Sequence, residues 1–358
     1  MSMPVNLPVF DDVQRIGRPL ELHDRLPILI TGVAGVAGFN AFAFFRQKYG
    51  DQVTGIRPKN NWPLSGEGII GFDLANQPEL RSLFAKHKFR TVINCGGSCA
   101  LKGCELDPQM ANRVNVESVR SLAQVISEIN PQPRLIHLSI DLVFSGTHGG
   151  GHREEDPTDP VTVYGATMAE AERLVLGTTP DACILRISLP MGISFNGHAG
   201  AIDWIQSRFA KGKPATLYYD EVRTPTYVEC LIETVEQTAC RDIRGIFHAG
   251  GTRKLSLYQI AQIVNLVGGY DPDLLEGCYR IEAGPIPPRA GNVTMNSKKL
   301  ENELGCPPFI AWPANNAFIP DSRIWHYSEK LRKQHPNRGV STVRDQIVDQ
   351  LYLRPTNY

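Results

Sequence analysis

Three glycines spaced three residues apart, Gly32, Gly35 and Gly38, separate a short apolar stretch from a helical pattern in this chain of 358 residues. The stretch before them, 26–31, has the composition of a buried strand, and the pattern after them predicts a helix through Phe45. A strand that turns tightly into a helix at glycines leaves the N–H groups of the helix N-terminus open to a phosphate. This context predicts a dinucleotide-binding turn and constrains the fold of the first half of the chain.

Strand and helix patterns alternate beyond this turn. A surface helix is predicted at 117–129, and strands at 52–56, 91–94, 134–139, 182–187 and 245–249. Strands separated by helices need crossover connections, which give a parallel sheet covered on both faces. We therefore expect an α/β fold, a Rossmann-type doubly wound parallel sheet with a smaller C-terminal substrate lobe.

Changes in composition divide the chain into four parts. They are an N-terminal extension, a Rossmann domain, a proline-rich substrate lobe and a helical C-terminal tail, at 1–25, 26–195, 196–318 and 319–358. The strand at 245–249 is expected to return from the lobe to the main sheet. The tail has two helix-like stretches, 321–334 and 343–353, and no function is predicted for it.

The overall composition limits the kinds of partner. Lys and Arg number 37, as do Asp and Glu, so no excess charge favours nucleic acid or an anionic membrane surface. No apolar run approaches the roughly 20 residues of a spanning helix, and the N-terminus lacks the apolar stretch of a signal peptide. The spacing of Cys95, Cys99 and Cys104 is not that of a zinc site. We expect a cytoplasmic protein with reduced thiols, no metal, and neither nucleic acid nor membrane as partner.

The end of the second predicted strand bears on the choice of cofactor. A carboxylate there would bond the ribose 2′-OH of NAD(H) and repel a 2′-phosphate. The chain instead has Arg57, whose guanidinium can fork onto a phosphate, and Lys59, which adds a positive charge. These residues favour NADP(H) over NAD(H). The alternative is a solvated pair of loop side chains.

Several segments, taken with the glycine spacing, resemble the extended branch of the short-chain dehydrogenase/reductase superfamily. Segments 72–74, 92–97 and 112–116 are similar to its adenine-contacting turn, its fourth strand and the helix after that strand. Similarity to the dTDP-4-dehydrorhamnose reductase group in particular is carried by 137–146, 153–156, 163–165, 185–188, 223–228, 289–292 and 297–300. The cofactor site implied by the turn and the resemblance comprises Gly32, Val33, Gly35, Val36, Ala37, Gly38, Arg57, Lys59, Asp73, Leu74, Cys95, Gly96, Gly97, Asn115 and Tyr164.

The resemblance implies an activity and an assembly. Members of the group reduce a 4-keto nucleotide sugar with NADPH, passing a hydride to the ketone carbon and a proton to its oxygen. The group also includes the regulatory β subunit of methionine adenosyltransferase, which acts mainly as a binding protein. Extended members often form homodimers through a four-helix contact, which here would use 108–129 and 166–176.

The catalytic set implied by the resemblance is incomplete in this chain. The family uses a Ser or Thr, a Tyr and a Lys four residues later; Tyr164 is present, but Ile140 and Met168 occupy the other two positions. A tyrosine with no neighbouring ammonium keeps a pKa of about 10 or higher, and the phenol can still donate a proton with less electrostatic help. Ser139 is adjacent to Ile140 and reaches the site only if the strand has ended or bulges there, because neighbours on a strand face opposite ways.

Four further side chains are candidates for contacts with the substrate. Arg223 lies in a segment that resembles the family's substrate-facing lobe, and its guanidinium suits a diphosphate. A structural salt bridge is the alternative for Arg223. Asp141 follows Ile140 and is a candidate to bond substrate, while Arg289 lies in another matching segment. Lys102 follows the fourth strand, although a lone loop lysine is more often merely solvated.

Two functions remain open at this point. The first is an NADP(H)-dependent reductase of a 4-keto nucleotide sugar or related carbonyl substrate, with Tyr164 as proton donor. The second is a catalytically weakened NADP(H)-binding regulatory or sensor protein of the same fold. The losses at Ile140 and Met168 favour the second, whereas retention of Tyr164, Asp141 and the substrate-lobe segments favours an enzyme.

Overall fold

The computed structural model describes residues 22–61, 63–196, 200–334 and 351–353. Most of the predicted N-terminal extension and most of the second helix-like stretch of the tail lie outside these residues. The part of the extension that is described is a 3-10 turn, His23–Arg25, preceded by the fully buried Leu22.

A seven-stranded parallel sheet forms the centre of the fold. Its strands are β1 Ile28–Thr31, β2 Val53–Arg57, β3 Ile69–Gly71, β4 Thr91–Asn94, β5 Arg134–Ile140, β6 Cys183–Ile187 and β11 Gly245–Ala249. Their order across the sheet is β11-β6-β5-β4-β1-β2-β3, with every neighbouring pair parallel. The strand order reverses between β1 and β4, which is the switch point where doubly wound folds bind their ligands. The predicted fold class and the return of 245–249 to the sheet are both confirmed.

Helices cover both faces of the sheet, and short strand pairs build the lobe. The helices are α1 Val36–Tyr49, α2 Gln77–His87, α3 Leu101–Leu106, α4 Pro108–Asn112, α5 Ser118–Ser127, α6 Val163–Thr178, α7 Ala201–Ala210, α8 Val228–Cys240, α9 Leu257–Val267, α10 Lys298–Leu304 and α11 Glu329–Gln334. The strand pairs are β7 Pro190–Met191 with β10 Thr226–Tyr227, β9 Val222–Arg223 with β12 Leu255–Ser256, and β8 Ala215–Tyr218 with β13 Leu275–Cys278. A π-helical turn, Arg113–Glu117, joins α4 to α5.

Alternation along the central strands divides the core between the two faces of the sheet. Ile28 and Ile30 of β1 pack in the cluster that includes the phenylalanines of α1, whereas Leu29 packs with Leu80 and Phe84 of α2 on the opposite face. All seven residues of β5 are buried, as expected of a strand covered on both sides. Each fully buried large apolar side chain contributes about 1.5–3 kcal/mol to folding.

Two predicted elements differ in length from those observed. The first helix continues to Tyr49, beyond the predicted end at Phe45. The predicted tail helix at 321–334 is α-helical only at α11, with a 3-10 turn at Trp325–Tyr327, because side chains of α9 bond the backbone at the start of this stretch. Gln262 Nε2 donates to Ser322 O at 3.0 Å, and the Tyr258 hydroxyl donates to Arg323 O at 2.9 Å. These tertiary hydrogen bonds leave no trace in local periodicity.

Candidate functional site

The glycine turn has the geometry that a phosphate site needs. Gly32 has φ +68°, and a Cβ at this position would overlap the carbonyl of Cys95. A Cβ on Gly38 would overlap the carbonyl of Gly32, so the third glycine lets α1 approach β1 closely. Gly35 caps α1 without any side-chain hydrogen bond. The amide groups that begin α1 are therefore open to an anion at the switch point of the sheet.

A ladder of polar side chains supports the loop that follows β4. Thr31 Oγ1 donates to Asn94 Oδ1 at 2.5 Å, and that oxygen also accepts from the backbone N–H of Gly96 at 3.2 Å. Asn94 Nδ2 lies 2.8 Å from His137 Nδ1, and burial lowers the pKa of His137 to about 4. The histidine is consequently neutral at pH 7 and accepts from the amide. The ladder fixes the loop of Cys95, Gly96 and Gly97 beside the glycine turn.

Arg57 and Lys59, at the end of β2, differ in the contacts that hold their side chains and so in their availability to bind a phosphate. Arg57 Nη1 donates to the carbonyls of Pro58 and Lys59 at 2.9 and 3.2 Å, which fixes the guanidinium over the turn. Its buried Nε has no hydrogen-bond partner among the described residues. Lys59 Nζ pairs with Glu79 at 3.1 Å, with both side chains about half exposed. Arg57 is the better placed of the two to recognise a 2′-phosphate.

The turn after β3 lies close to the same crevice. Asp73 Oδ1 accepts from the backbone N–H of Ala75 at 3.1 Å, and Oδ2 accepts from Arg113 Nη2 at 2.9 Å. Leu74 Cδ1 lies 3.8 Å from where a Cβ on Gly96 would stand. Arg113 was missed by the sequence analysis, because a charged side chain at the start of a surface helix carries no signal of its own.

Tyr164 and Met168 lie one turn apart on α6, beside the loop after β4. Burial raises the pKa of Tyr164, whose side chain is 8% exposed, and the nearby Cys99 and Asp141 raise it further. The tyrosine hydroxyl makes no hydrogen bond within the described part of the chain. Met168 is 3% exposed, and its Sδ lies 3.8 Å from where a Cβ on Gly97 would stand. A thioether therefore lies at the position where the resemblance predicts a lysine ammonium.

Asn115 links the same helix to the cofactor loop. Its Oδ1 accepts from the backbone N–H of Ser98 at 2.7 Å, and its Nδ2 donates to Thr167 Oγ1 at 2.9 Å. Thr167 in turn donates to the carbonyl of Tyr164 at 2.9 Å. Asn115 is fully buried, and it lies in the π-helical turn before α5. These hydrogen bonds connect the backbone of Tyr164 to Ser98 in the loop after β4, so they fix the position of Tyr164 along α6 relative to that loop.

The structure does not bring Ser139 to the site, which corrects the catalytic role suggested for it. Strand β5 continues through Ile140, so the two neighbours face opposite sides. The Ser139 hydroxyl donates to Glu172 Oε1 at 2.5 Å, and Glu172 also accepts from Arg186 at 2.9 and 2.8 Å. Ile140 belongs to the core cluster that contains Tyr164 and Met168.

Asp141 and Arg223 are bonded to each other, which corrects their assignment as open contacts for substrate. Arg223 Nε donates to Asp141 Oδ2 at 2.7 Å, Arg223 Nη2 donates to Asp141 Oδ1, and the Ser188 hydroxyl also donates to Oδ2. Both side chains are buried. The structural salt bridge, which was the alternative for Arg223, is therefore the arrangement that the structure has. It holds the 222–224 segment of the lobe against the end of β5.

Arg289 and Lys102 differ in their surroundings. Arg289 Nη1 lies 3.8 Å from Glu221 Oε2, and its guanidinium lies 4.7 Å from the centre of the Tyr218 ring. Burial raises the pKa of Glu221, so this carboxyl resists ionisation. Arg289 keeps 23% of its side chain exposed, while Lys102 is exposed on α3. Arg289 thus remains a candidate for an anionic ligand.

No group of three or more His, Cys, Asp or Glu side chains with metal-binding geometry occurs in the described ranges. All eight cysteines are free thiols, and burial raises the pKa of Cys95 to about 12. Within the same ranges, no helix has both the length and the apolar character to cross a bilayer.

The switch-point glycine turn, the loop after β4 and the tyrosine that begins α6 define an extended short-chain dehydrogenase/reductase of the RmlD type. Residues 26–315 match the family described as the RmlD substrate binding domain, and the chain belongs to that family.

Proteins named as reductases and as a subunit of another enzyme are similar to the chain. It is 26% identical over 279 residues to a probable low-salt glycan biosynthesis reductase of Haloferax volcanii, covering 77% of this chain and 92% of the relative. It is 27% identical over 247 residues to methionine adenosyltransferase 2 subunit beta of Xenopus laevis, covering 65% and 69%. A crystal structure of dTDP-4-dehydrorhamnose reductase from Bacillus anthracis with NADP shares the fold, with TM-score 0.65, 19% identity, and coverage of 80% and 95%.

Proposed function

We propose that the protein is an NADP(H)-dependent reductase of a 4-keto nucleotide sugar or a related carbonyl compound. The observation that carries the proposal is the Tyr164 hydroxyl, which has no hydrogen-bond partner among the described residues although its side chain is 8% exposed. This hydroxyl is not among the fully buried polar atoms that lack a partner, so a bound carbonyl oxygen can reach it. Met168, one turn from Tyr164 on α6, lies beside Gly97, and Cys99 of the same loop is near enough to raise the pKa of Tyr164. In this fold the nicotinamide of a bound cofactor would lie beside that loop.

The chemistry that Tyr164 supports is donation of a proton. The cofactor supplies the hydride when bound, and the carbonyl oxygen that becomes negative takes the phenolic proton. Burial raises the pKa of Tyr164, so the phenol holds this proton at neutral pH. Met168 supplies no positive charge to favour the phenolate. Reduction leaves Tyr164 as a phenolate, so the proton transfer has less electrostatic help here than it would have beside an ammonium at position 168.

The cofactor and the substrate class are proposed from two arginines. Arg57 is fixed by backbone carbonyls at the end of β2 and suits the 2′-phosphate of NADP(H) better than the 2′-hydroxyl of NAD(H). Arg289, partly exposed beside Tyr218, suits the diphosphate of a sugar nucleotide. In this proposal, residues 26–195 bind the cofactor and the lobe, 196–318, binds the substrate.

The proposal is tested by cofactor titration followed by turnover. NADPH and NADH are titrated onto the purified protein by fluorescence, and then dTDP-4-keto-6-deoxyglucose is added while the nicotinamide absorbance is followed. We expect tighter binding of NADPH and its oxidation, with turnover abolished in Tyr164→Phe and binding retained. Turnover that survives in Tyr164→Phe excludes the tyrosine as proton donor. If the protein binds neither NADPH nor NADH, it is not a nicotinamide-dependent reductase.

A second function is favoured by a specific observation. The positions of the family's lysine and threonine are filled by the buried apolar side chains of Met168 and Ile140. This arrangement suits a protein that binds NADP(H) and acts as a regulatory or sensor subunit. Tight NADPH binding without turnover, unimproved in Met168→Lys with Ile140→Thr, would support this function over the first.

A homodimer through a four-helix contact is part of the proposal. The outward side chains of α5 include Arg120, Gln124 and Glu128, which are exposed and polar, and Glu128 pairs with Arg81 at 2.8 Å. Such a surface suits a polar contact rather than a large apolar one. Light scattering on the eluting protein measures the mass, and Arg120→Glu is expected to shift a dimer of this kind toward monomer.

A further inference from the structure

Glu221, the residue before β9, carries a carboxyl group that is buried in the lobe without a hydrogen bond to one of its oxygens. The residue is 2% exposed, and its Oε2 has no hydrogen-bond partner among the described residues. Two guanidiniums approach it. Arg223 Nη1 lies 3.7 Å from Oε1, and Arg289 Nη1 lies 3.8 Å from Oε2. Both distances are longer than a hydrogen bond, so the carboxyl group is only loosely paired.

The backbone around Glu221 is fixed on both sides. The backbone N–H of Leu257, at the start of α9, donates to the carbonyl of Glu221 at 2.9 Å. The N–H of the next residue, Val222, donates to the carbonyl of Gly291 at 3.0 Å. The carboxyl group therefore stays near Arg289, whichever ligand the arginine meets.

The charges around Glu221 are unequal in their availability. The principal charged groups that act on it are Arg223, Arg289, Asp141 and Arg280, while α9 has no charged side chain. Arg223 is already hydrogen-bonded to Asp141 through Nε and Nη2, so its charge is largely neutralised. Burial raises the pKa of Glu221 although the arginines lower it. The partly exposed Arg289 is thus the counter-ion that a ligand can take away.

We propose that Glu221 is the internal counter-ion of Arg289 in the free protein and takes up a proton when the diphosphate of a sugar nucleotide binds to that arginine. The inference rests on the proposed function, in which Arg289 meets the diphosphate, and adds the response of the site to pH. The proton comes from water and converts the carboxylate to the neutral acid. No covalent bond of the ligand changes.

Ligand binding changes the charge near Glu221 in one direction. A diphosphate accepts charge-assisted hydrogen bonds of about 2.7–2.9 Å from a guanidinium, shorter than the present contact of Arg289 with Glu221, so it takes over the arginine. The negative charge of the ligand then lies beside the carboxyl group, and a like charge favours its protonated form. Affinity for the diphosphate should therefore rise as the pH falls.

The test is calorimetric titration of dTDP-glucose onto the NADPH-loaded protein between pH 5 and 8. This sugar nucleotide has no ketone to reduce, and its diphosphate is fully ionised throughout that range. Each titration is repeated in two buffers of different ionisation enthalpy, neither of them phosphate, which gives the number of protons taken up. The variants are Glu221→Gln and, as a matched control, Glu276→Gln, whose carboxylate is exposed on β13 of the same lobe. Thermal unfolding shows that each variant is folded.

We expect the wild type to take up about half a proton or more per ligand at its maximum, and to bind about 10-fold more weakly at pH 8 than at pH 5. Glu221→Gln should take up no proton in this range and should bind at pH 8 as tightly as the wild type binds at pH 5. Glu276→Gln should behave as the wild type.

Three results overturn the inference while leaving the proposed function intact. They are binding of dTDP-glucose by the wild type without proton uptake, proton uptake that persists in Glu221→Gln, and an affinity of Glu221→Gln at pH 8 that is no higher than that of the wild type. If the NADPH-loaded wild type does not bind dTDP-glucose at any pH, the nucleotide-sugar class of the proposed function fails, and the inference fails with it. The two failures are therefore distinguishable.

Discussion

Single residues decide what chemistry this site supports. Met168 and Ile140 stand at the positions where the resemblance predicts a lysine and a threonine, and both are buried in the cluster that contains Tyr164. The buried charges beside them, Asp141 and Arg223, neutralise each other. Tyr164 is therefore left as the acid of the proposed reaction, with a proton held firmly by burial.

The first prediction concerns the pH dependence of the proposed reductase. Burial raises the pKa of Tyr164 above its ordinary value of about 10, so the proton-donating form persists as the pH rises. We expect kcat/KM for reduction to show no basic limb from this group below about pH 9. A rate profile from pH 6 to 10 measures it, with Met168→Lys as the comparison, since a nearby ammonium should move the limb to lower pH. A wild-type limb near pH 7 would contradict the assignment.

The second prediction concerns the buried ion pair. Arg223→Ala leaves the carboxylate of Asp141 buried without its partner and should destabilise the protein by about 3–5 kcal/mol. Urea unfolding measures the change, and the exposed Arg81→Ala is the control, with an expected loss below about 1 kcal/mol. A small effect of Arg223→Ala would show that the carboxylate finds another partner.

At the scale of elements, the close approach of β1, α1 and the loop after β4 forms the crevice. Gly38 lets α1 lie against Gly32, and Gly32 lies against the carbonyl of Cys95. The ladder from Thr31 through Asn94 to His137 crosses three strands and holds that loop. The elements are thus coupled by contacts far apart in the chain.

A third prediction tests the packing of α1. Gly38→Ala forces its methyl group onto the carbonyl of Gly32, so it should weaken NADPH binding at least 10-fold and lower the melting temperature. Gly177→Ala in α6 is the matched control, because its added Cβ meets nothing within 4 Å. That change should stabilise by about 1 kcal/mol through helix propensity. Fluorescence titration and thermal unfolding give both results, and equal behaviour of the two variants would count against the close approach.

The polar ladder gives a fourth prediction, on acid stability. Burial lowers the pKa of His137 to about 4 in the folded state, below the value of about 6.5 expected when unfolded. Its contribution is present in full above about pH 6.5 and is lost as the pH falls through about 4, because the unfolded state binds the proton first. The loss should be on the order of 3 kcal/mol. Urea unfolding at pH 7, 5 and 4 measures the free energy of unfolding at each pH. If His137→Asn shows the same pH dependence as the wild type, another group causes the loss of stability.

At the scale of the whole molecule, the chain adds a tail to the family's unit. The family match ends at residue 315, and beyond it Leu351 and Tyr352 are buried. Trp312 Nε1 donates to the carbonyl of Leu351 at 2.9 Å, so the segment 351–353 packs on the lobe.

A fifth prediction follows for a chain that ends at residue 350. Removing Leu351 and Tyr352 uncovers the buried Trp312, and each lost apolar side chain costs about 1.5–3 kcal/mol of stability. NADPH affinity should stay within about twofold, since Leu351 is bonded to Trp312 of the lobe, and equilibrium unfolding alongside titration separates the two effects. A large loss of affinity without loss of stability would place the tail at the cofactor site.

The sequence by itself determined the fold class, the glycine turn and six of the seven strands of the main sheet, because glycine geometry and apolar periodicity are local properties. It did not predict β3, which has only three residues, Ile69–Gly71. Through the family resemblance it also predicted the positions of the catalytic set, Tyr164, Ile140 and Met168, since residue types at a fixed spacing need no coordinates. Tertiary structure alone decided that Ser139 bonds Glu172, that Asp141 bonds Arg223 and that Arg113 bonds Asp73. These contacts join residues far apart in the chain. Which way each side chain faces depends on how the helices and strands pack against one another, and the apolar periodicity of the sequence does not encode that packing.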